Sequence, residues 1–259
     1  MAVLIGTSGW QYQHWKGGFY PRGLPVARWL GHFAQHFATV EVNNAFYRLP
    51  ETSRFEAWAA AVPEDFCFAV KASRYLTHVR RLSEPQEPVR RLLERTAGLG
   101  TRLGPVLIQL PPNLRADLDA LDEVLGAFGK TVRVAVEFRH NSWYSSQTRS
   151  LLERRGAACC LADTEGRGPP RWRTADWGYV RFHRGRAQPD SCYGRTALQS
   201  WAEELTRLWP GSADVYAYFN NDAHGCAPRN AAQFAGAVRR AGSVPTRTPT
   251  ARQAPVDAI

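Results

Sequence analysis

The chain has 259 residues, 44% of them hydrophobic, with a formal net charge of +10. That length can bury a large core and sits near the roughly 250 residues of an eightfold α/β barrel, so one domain is expected. No segment approaches the roughly 18 consecutive apolar residues of a membrane helix, and the chain opens on a strand-like run rather than a basic region and an apolar targeting stretch, so a soluble, unprocessed protein with no membrane partner is expected.

The five cysteines, Cys67, Cys159, Cys160, Cys192 and Cys226, form an odd set without CxxC spacing. That argues against a disulfide framework and a zinc knuckle, and points to a reducing, cytoplasmic setting. Only Lys16, Lys71 and Lys130 are lysines, so nearly all the positive charge is arginine. Such basicity either serves a polyanionic partner or reflects the composition of a GC-rich genome.

Eight short runs rich in β-branched or aromatic residues appear in order: Val3 to Ser8, Thr39 to Asn44, Phe66 to Ala72, Pro105 to Leu110, Arg133 to Phe138, Ala157 to Asp163, Tyr179 to His183 and Asp214 to Asn220. Most are followed by a segment of helical periodicity, such as Val26, Leu30, Phe33 and Phe37, or Leu121, Val124, Leu125 and Phe128. Alternation of this kind is the pattern of parallel βαβ units, and eight strands close a barrel; a single-domain α/β fold, the (β/α)8 TIM barrel, is predicted. Between strands six and seven the stretch Thr164 to Gly178 is rich in Gly, Pro and Arg, which predicts a long loop in place of a helix. From Ser243 onward there is little apolar surface to bury, so the domain is predicted over residues 1–242 and a disordered tail over 243–259.

Side chains alternate along a strand, and in a barrel one face meets the helices while the other fills the interior. Val40 and Val42 claim the helix side of strand two, which turns Glu41 and Asn43 inward. By the same parity Lys71, Glu137, Arg139, Arg181 and His183 point into the lumen or its rim, with Gln109 and Asp163 ending strands four and six. Charges brought together there must pair, bind a ligand or catalyse, because an unpaired buried charge costs several kcal/mol, about 3–5 where a pair is broken. Lys71, Glu137, His183 and Glu41 are the candidate catalytic groups: an amine whose pKa burial would lower, two carboxylates and an imidazole. The structural alternative is a scaffold of internal ion pairs, Glu41 with Lys71 and Glu137 with Arg181.

Asn43, Arg139, Asp163, Arg181 and Asn221 are the candidate substrate-binding residues, joined by the loop aromatics Tyr47, Trp10 and Trp143, which stand among arginines as stacking on a base or sugar would require. Packing of these rings over the barrel mouth is the competing assignment. Trp29, Trp58, Trp201 and Trp209 are assigned to the core. Neither a cofactor fingerprint nor a metal ligand set is recognised; Gly6, Gly9 and Gly18 lack phosphate-binding spacing.

The segments Gly6-Thr7-Ser8-Gly9-Trp10, Val40-Glu41-Val42-Asn43-Asn44, Phe46-Tyr47-Arg48-Leu49-Pro50, Phe68-Ala69-Val70-Lys71, Gln109-Leu110-Pro111-Pro112, Glu137-Phe138-Arg139-His140, Tyr179-Val180-Arg181-Phe182-His183 and Phe219-Asn220-Asn221-Asp222, with Trp143 and Tyr193, resemble the domain of unknown function 72 family from about Ile5 to Arg240. The resemblance implies a TIM-type barrel and no particular reaction. Its likeness to metal-dependent repair and sugar-isomerase barrels is one of fold, and the histidine-rich metal set of those nucleases is missing here. The functional expectations are an enzyme acting by acid/base chemistry on an anionic or sugar-phosphate-bearing small molecule or nucleic acid, a non-catalytic nucleic-acid binder, or a metal-dependent endonuclease- or isomerase-like barrel.

Overall fold

The computed structural model describes residues 2–130, 132–163, 170–211 and 213–250. Strands and helices alternate as β1 (Ala2–Thr7), α1 (Trp29–His36), β2 (Thr39–Val42), α2 (Asn44–Tyr47), α3 (Thr52–Ala60), β3 (Cys67–Lys71), α4 (Gln86–Thr96), β4 (Leu103–Gln109), α5 (Leu118–Phe128), β5 (Val134–Glu137) and α6 (Ser146–Arg155). There follow β6 (Ala158–Cys159), β7 (Leu161–Asp163), β8 (Gly178–Phe182), α7 (Arg195–Leu208), β9 (Asp214–Phe219), α8 (Cys226–Arg240) and β10 (Val244–Pro245). Helix starts follow local chemistry: the Asp117 side chain accepts from the Ala120 amide ahead of α5, and Ser145 from the Thr148 amide ahead of α6.

The strands form two parallel sheets, ordered β10-β1-β9-β8-β7 and β2-β3-β4-β5-β6. They meet at two seams. At one, Ser8 bridges Glu41 in parallel and the Gly9 amide donates to the Glu41 carbonyl at 2.9 Å. At the other, β6 pairs with β5 and β7 with β8, and Cys160 alone separates β6 from β7, so one continuous segment passes from sheet to sheet. The eight predicted strands thereby succeed one another round a ring. Gly6 makes the first seam possible, because a Cβ there would run into the Thr39 carbonyl oxygen.

Parity sorts the core into two clusters. Val40, Val42, Phe68, Val70, Val134, Val136, Val180, Phe182, Val215 and Phe219 pack outward under the helices, together with Trp29, Trp58, Trp201 and Trp209. The inward positions Ala69, Leu107, Ala135, Ala158, Cys160, Tyr179, Tyr216 and Tyr218 form a separate cluster that Trp177 closes from below. Full burial of each large side chain contributes about 1.5–3 kcal/mol, so the outer layer carries most of the stability. The inner cluster fills the lumen only at the strands' N-terminal ends. Above it the inward positions are polar except for Ala162, which pairs with Arg181.

Residues 170–177 contain no helix, in keeping with the expected loop; residues 164–169 lie outside the described set. The expected boundary at residue 242 falls short of the paired chain. Val244 and Pro245 pair with Ala2 and Val3, the Thr246 amide donates to the Val3 carbonyl, and Arg247 holds Asp65 through both terminal nitrogens. Backbone pairing with an open strand edge needs no apolar side chains, so composition alone gave no sign of it; residues 251–259 lie outside the described set. No helix among the described residues is long and apolar enough to cross a membrane.

The cysteine count argued against a disulfide framework, yet one pair, Cys192 and Cys226, is bonded. They lie 34 residues apart, beyond any local motif, but the loops after the adjacent parallel strands β8 and β9 bring them together. The odd cysteine count therefore gives no argument for a reducing compartment. Cys67, Cys159 and Cys160 are free.

Candidate functional site

At the C-terminal ends of the strands the polar lumen is one connected network. Arg181, from β8, is 1% exposed and lies between two fully buried carboxylates, donating from Nη1 to Glu137 Oε2 at 2.6 Å and from Nη2 to Glu41 Oε1 at 2.8 Å. Glu41 also accepts from the Ser8 hydroxyl at 2.7 Å and the Tyr179 hydroxyl at 2.6 Å. The second oxygen of Glu137 accepts from Gln109 Nε2 at 2.9 Å and Arg139 Nε at 3.0 Å. Gln109 turns its own oxygen to the Lys71 ammonium at 2.7 Å, and Lys71 lies 3.9 Å above the centre of the Phe46 ring.

The electrostatics follow from this wiring. Burial alone would raise the Glu137 carboxyl, but Arg181, His183 and Arg139 outweigh it and hold the group well below the ordinary carboxylate range. Burial would likewise lower Arg181, and its two carboxylates reverse that. Lys71 behaves differently. Burial and the nearby Arg181 charge bring its ammonium down from 10.5 to about 8, against the pull of Glu41 and Glu137. Its direct partners are a neutral amide oxygen and a ring face, which stabilise a cation less than a carboxylate would.

His183 completes the arc. Its Nδ1 lies 3.1 Å from Asn220 Nδ2, so Asn220 donates, Nδ1 accepts, and the proton belongs on Nε2. That buried Nε2 stands 3.4 Å from Glu137 Oε1 without a well-aligned hydrogen bond. Arg139 is 38% exposed at the rim; its Nε is used by Glu137, and its terminal nitrogens have no hydrogen bond or ion pair among the described residues. Asn43 has a buried side-chain oxygen without a partner among the described residues.

Lys71, Glu137, His183, Glu41, Arg139 and Arg181 thus belong to one network at the strand ends. The expected Glu41–Lys71 pair is replaced, because Arg181 reaches Glu41 first. Other candidates lie elsewhere. Asp163 has the parity of Cys159 and Leu161, which pack outward, and its charge and hydrogen bond act on the Tyr193 phenol. Trp10 is 3% exposed and meets Trp58 edge-on, and Trp143 is fully buried, stacked on Phe138 and donating to the Leu114 carbonyl, so neither offers a face to a ligand. Tyr47 is 77% exposed, while its neighbour Phe46 covers Lys71. Asn221 is buried and uses its amide nitrogen on the Ser191 carbonyl and Asn230, fastening the loop of the disulfide; its oxygen has no partner among the described residues.

Ser8, Tyr179, Gln109 and Asn220 are integral to the network and absent from the candidate set. Parity places Ser8, Tyr179 and Gln109 inward, so their signal was present in the sequence. Asp222 stood in the family-like segment Phe219-Asn220-Asn221-Asp222, but nothing in the sequence named its partners. It sits 208 residues from His14, yet bonds its Nε2 at 2.7 Å and the Trp15 indole nitrogen at 2.9 Å, and burial lifts its carboxyl to about 6. No group of three or more His, Cys, Asp or Glu among the described residues is arranged to hold a metal ion.

The family model described as protein of unknown function DUF72 matches residues 4–255. The chain belongs to the DUF72 family. It is 28% identical to the UPF0759 protein YunF of Bacillus subtilis, over 90% of this chain and 93% of that protein. It is 26% identical to the UPF0759 protein YecE of Escherichia coli, over 60% of this chain and 54% of that protein. A DUF72 family protein from Thermotoga maritima superposes with a TM-score of 0.80 at 28% identity, covering 92% of this chain and all of that one. Another from Enterococcus faecalis gives 0.77 at 21% identity, which speaks to the fold. The family description and the names of these relatives state no reaction.

Proposed function

We propose that the lumen is the active site of an enzyme that moves a proton on a small anionic substrate. One observation carries this reading: a buried amine, brought down to about 8, whose hydrogen bond goes to the neutral Gln109 rather than to a carboxylate. A lysine kept solely as a structural cation gains most from a carboxylate partner, whereas a proton-transfer lysine works best near ambient pH.

In this reading Lys71 takes a proton from the substrate and His183 Nε2–H donates to the oxygen on which charge develops. Arg139 holds the substrate's negative group with its free terminal nitrogens. Glu137, held ionised between arginines, does not readily accept a proton; it orients Gln109 and Arg139. Glu41 and Arg181 serve as the frame beneath. Acid/base groups of this kind contribute on the order of 100- to 10,000-fold to rate.

The test is a deuterium-incorporation screen of phosphorylated and carboxylated small molecules by proton NMR. Turnover found with the parent should fall at least about 100-fold in Lys71→Met and in His183→Asn, with folding intact. Retained turnover in both variants overturns the assignment.

A further inference from the structure

A cavity of about 620 Å³ opens on the strand-end side between the loop after β1 and the segment joining β2 to α3, a volume suited to a small molecule. None of its walls belongs to the Lys71–Gln109–Glu137 network. Arg48 and Arg54 both line it, and neither guanidinium has a hydrogen bond or ion pair among the described residues. That sets them apart from Arg90, Arg149, Arg155 and Arg247, each held by a nearby carboxylate. The one acid on the wall, Glu51, is already taken by Arg95. The cavity therefore holds two uncompensated positive charges.

The rest of the wall adds selectivity. Asn44 Nδ2 donates to Gln11 Oε1 at 2.8 Å, which fixes the two amides and leaves the Gln11 NH2 group free to donate. Leu49, Pro50 and the edge of Trp58 form an apolar side. Two planar guanidinium forks match a tetrahedral oxyanion of two charges better than a singly charged carboxylate, and an apolar wall beside them suits a hydrophobic body.

We propose that this cavity is a second binding site and takes a phosphomonoester with a compact hydrophobic or aromatic group. Arg48 and Arg54 grip the phosphate, the Gln11 amide donates to it or to its bridging oxygen, and Leu49, Pro50 and Trp58 cover the apolar part. This assignment is independent of the chemistry in the lumen.

Phenyl phosphate is the probe, titrated into the full chain and followed by NMR of side-chain amides, with benzoate and inorganic phosphate run alongside. The Gln11 and Asn44 NH2 signals should move, and phenyl phosphate should bind about fivefold or more tighter than either comparison ligand. Arg48→Ala and Arg54→Ala should each weaken it about tenfold or more. Shifts confined to the Gln109 NH2 in the lumen, equal binding of benzoate, or unchanged binding by both variants would overturn the site. Should an alanine variant lose its fold, Arg48→Lys and Arg54→Lys keep the charge and remove the fork; they should bind about threefold or more weakly, and undiminished binding counts against the proposal.

Discussion

Lys71 donates to the carboxamide oxygen of Gln109 at 2.7 Å, and the same Gln109 donates from its nitrogen to Glu137. One neutral side chain thus separates the amine from the carboxylate that would otherwise hold it charged. The lumen consequently contains Glu137, held well below the ordinary carboxylate range beside Arg181, and next to it a cation that burial has loosened.

The loosened amine should show in stability against pH. Its folded-state pKa of about 8 lies below the ordinary 10.5, so between those values the unfolded chain binds the extra proton and stability rises with pH. Relative to Lys71→Met, the parent should gain up to about 3 kcal/mol between pH 8 and pH 10.5, read from urea unfolding at each pH. Parallel curves for the two proteins would place the amine at its ordinary value.

Arg181 should be far less replaceable than Lys71. Arg181→Met strands two fully buried carboxylates and should cost about 3–5 kcal/mol, visible as a large fall in Tm, whereas Lys71→Met should stay within about 1 kcal/mol of the parent at pH 7. Similar losses for both would make the whole network scaffold.

Much of this was legible in the sequence. Strict alternation in Val40-Glu41-Val42 and Phe68-Ala69-Val70-Lys71 predicted which groups enter the lumen, because only the other parity could satisfy the helix layer. Parity weakens where both faces are small and apolar, and Ala-Cys-Cys-Leu accordingly misplaced Asp163. Which partners pair within the lumen is decided by reach in three dimensions: Arg181 spans both acids, and Lys71 is left to Gln109. Loop aromatics were harder still, since a tryptophan that packs into the core and one that stacks on a ligand have the same composition around them; Trp10 and Trp143 proved to be packed in the outer core. The docking of β10 depends on backbone hydrogen bonds, which side-chain patterns do not encode.

The β1–β2 seam gives a steric prediction. Gly6→Ala places a methyl group against the Thr39 carbonyl and should cost about 1–3 kcal/mol or more by denaturant unfolding, although alanine is otherwise favoured over glycine in a strand. An unchanged midpoint would mean that the strands can separate there without penalty.

The disulfide makes a chemical one. Denatured without reductant, the protein should show three reactive thiols, from Cys67, Cys159 and Cys160. Closing a 34-residue span restricts the unfolded chain, so Cys192→Ser with Cys226→Ser should lose about 3–4 kcal/mol. Five reactive thiols in protein kept from reductant would remove the bond from the account.

The most direct test is the titration of Lys71 itself, followed through its side-chain carbon and nitrogen NMR signals in the folded protein. A midpoint near 8 is expected, with Gln109→Glu moving it upward by supplying the missing carboxylate. A midpoint near 10.5 in the parent would contradict the reading of Lys71 as a proton-transfer group.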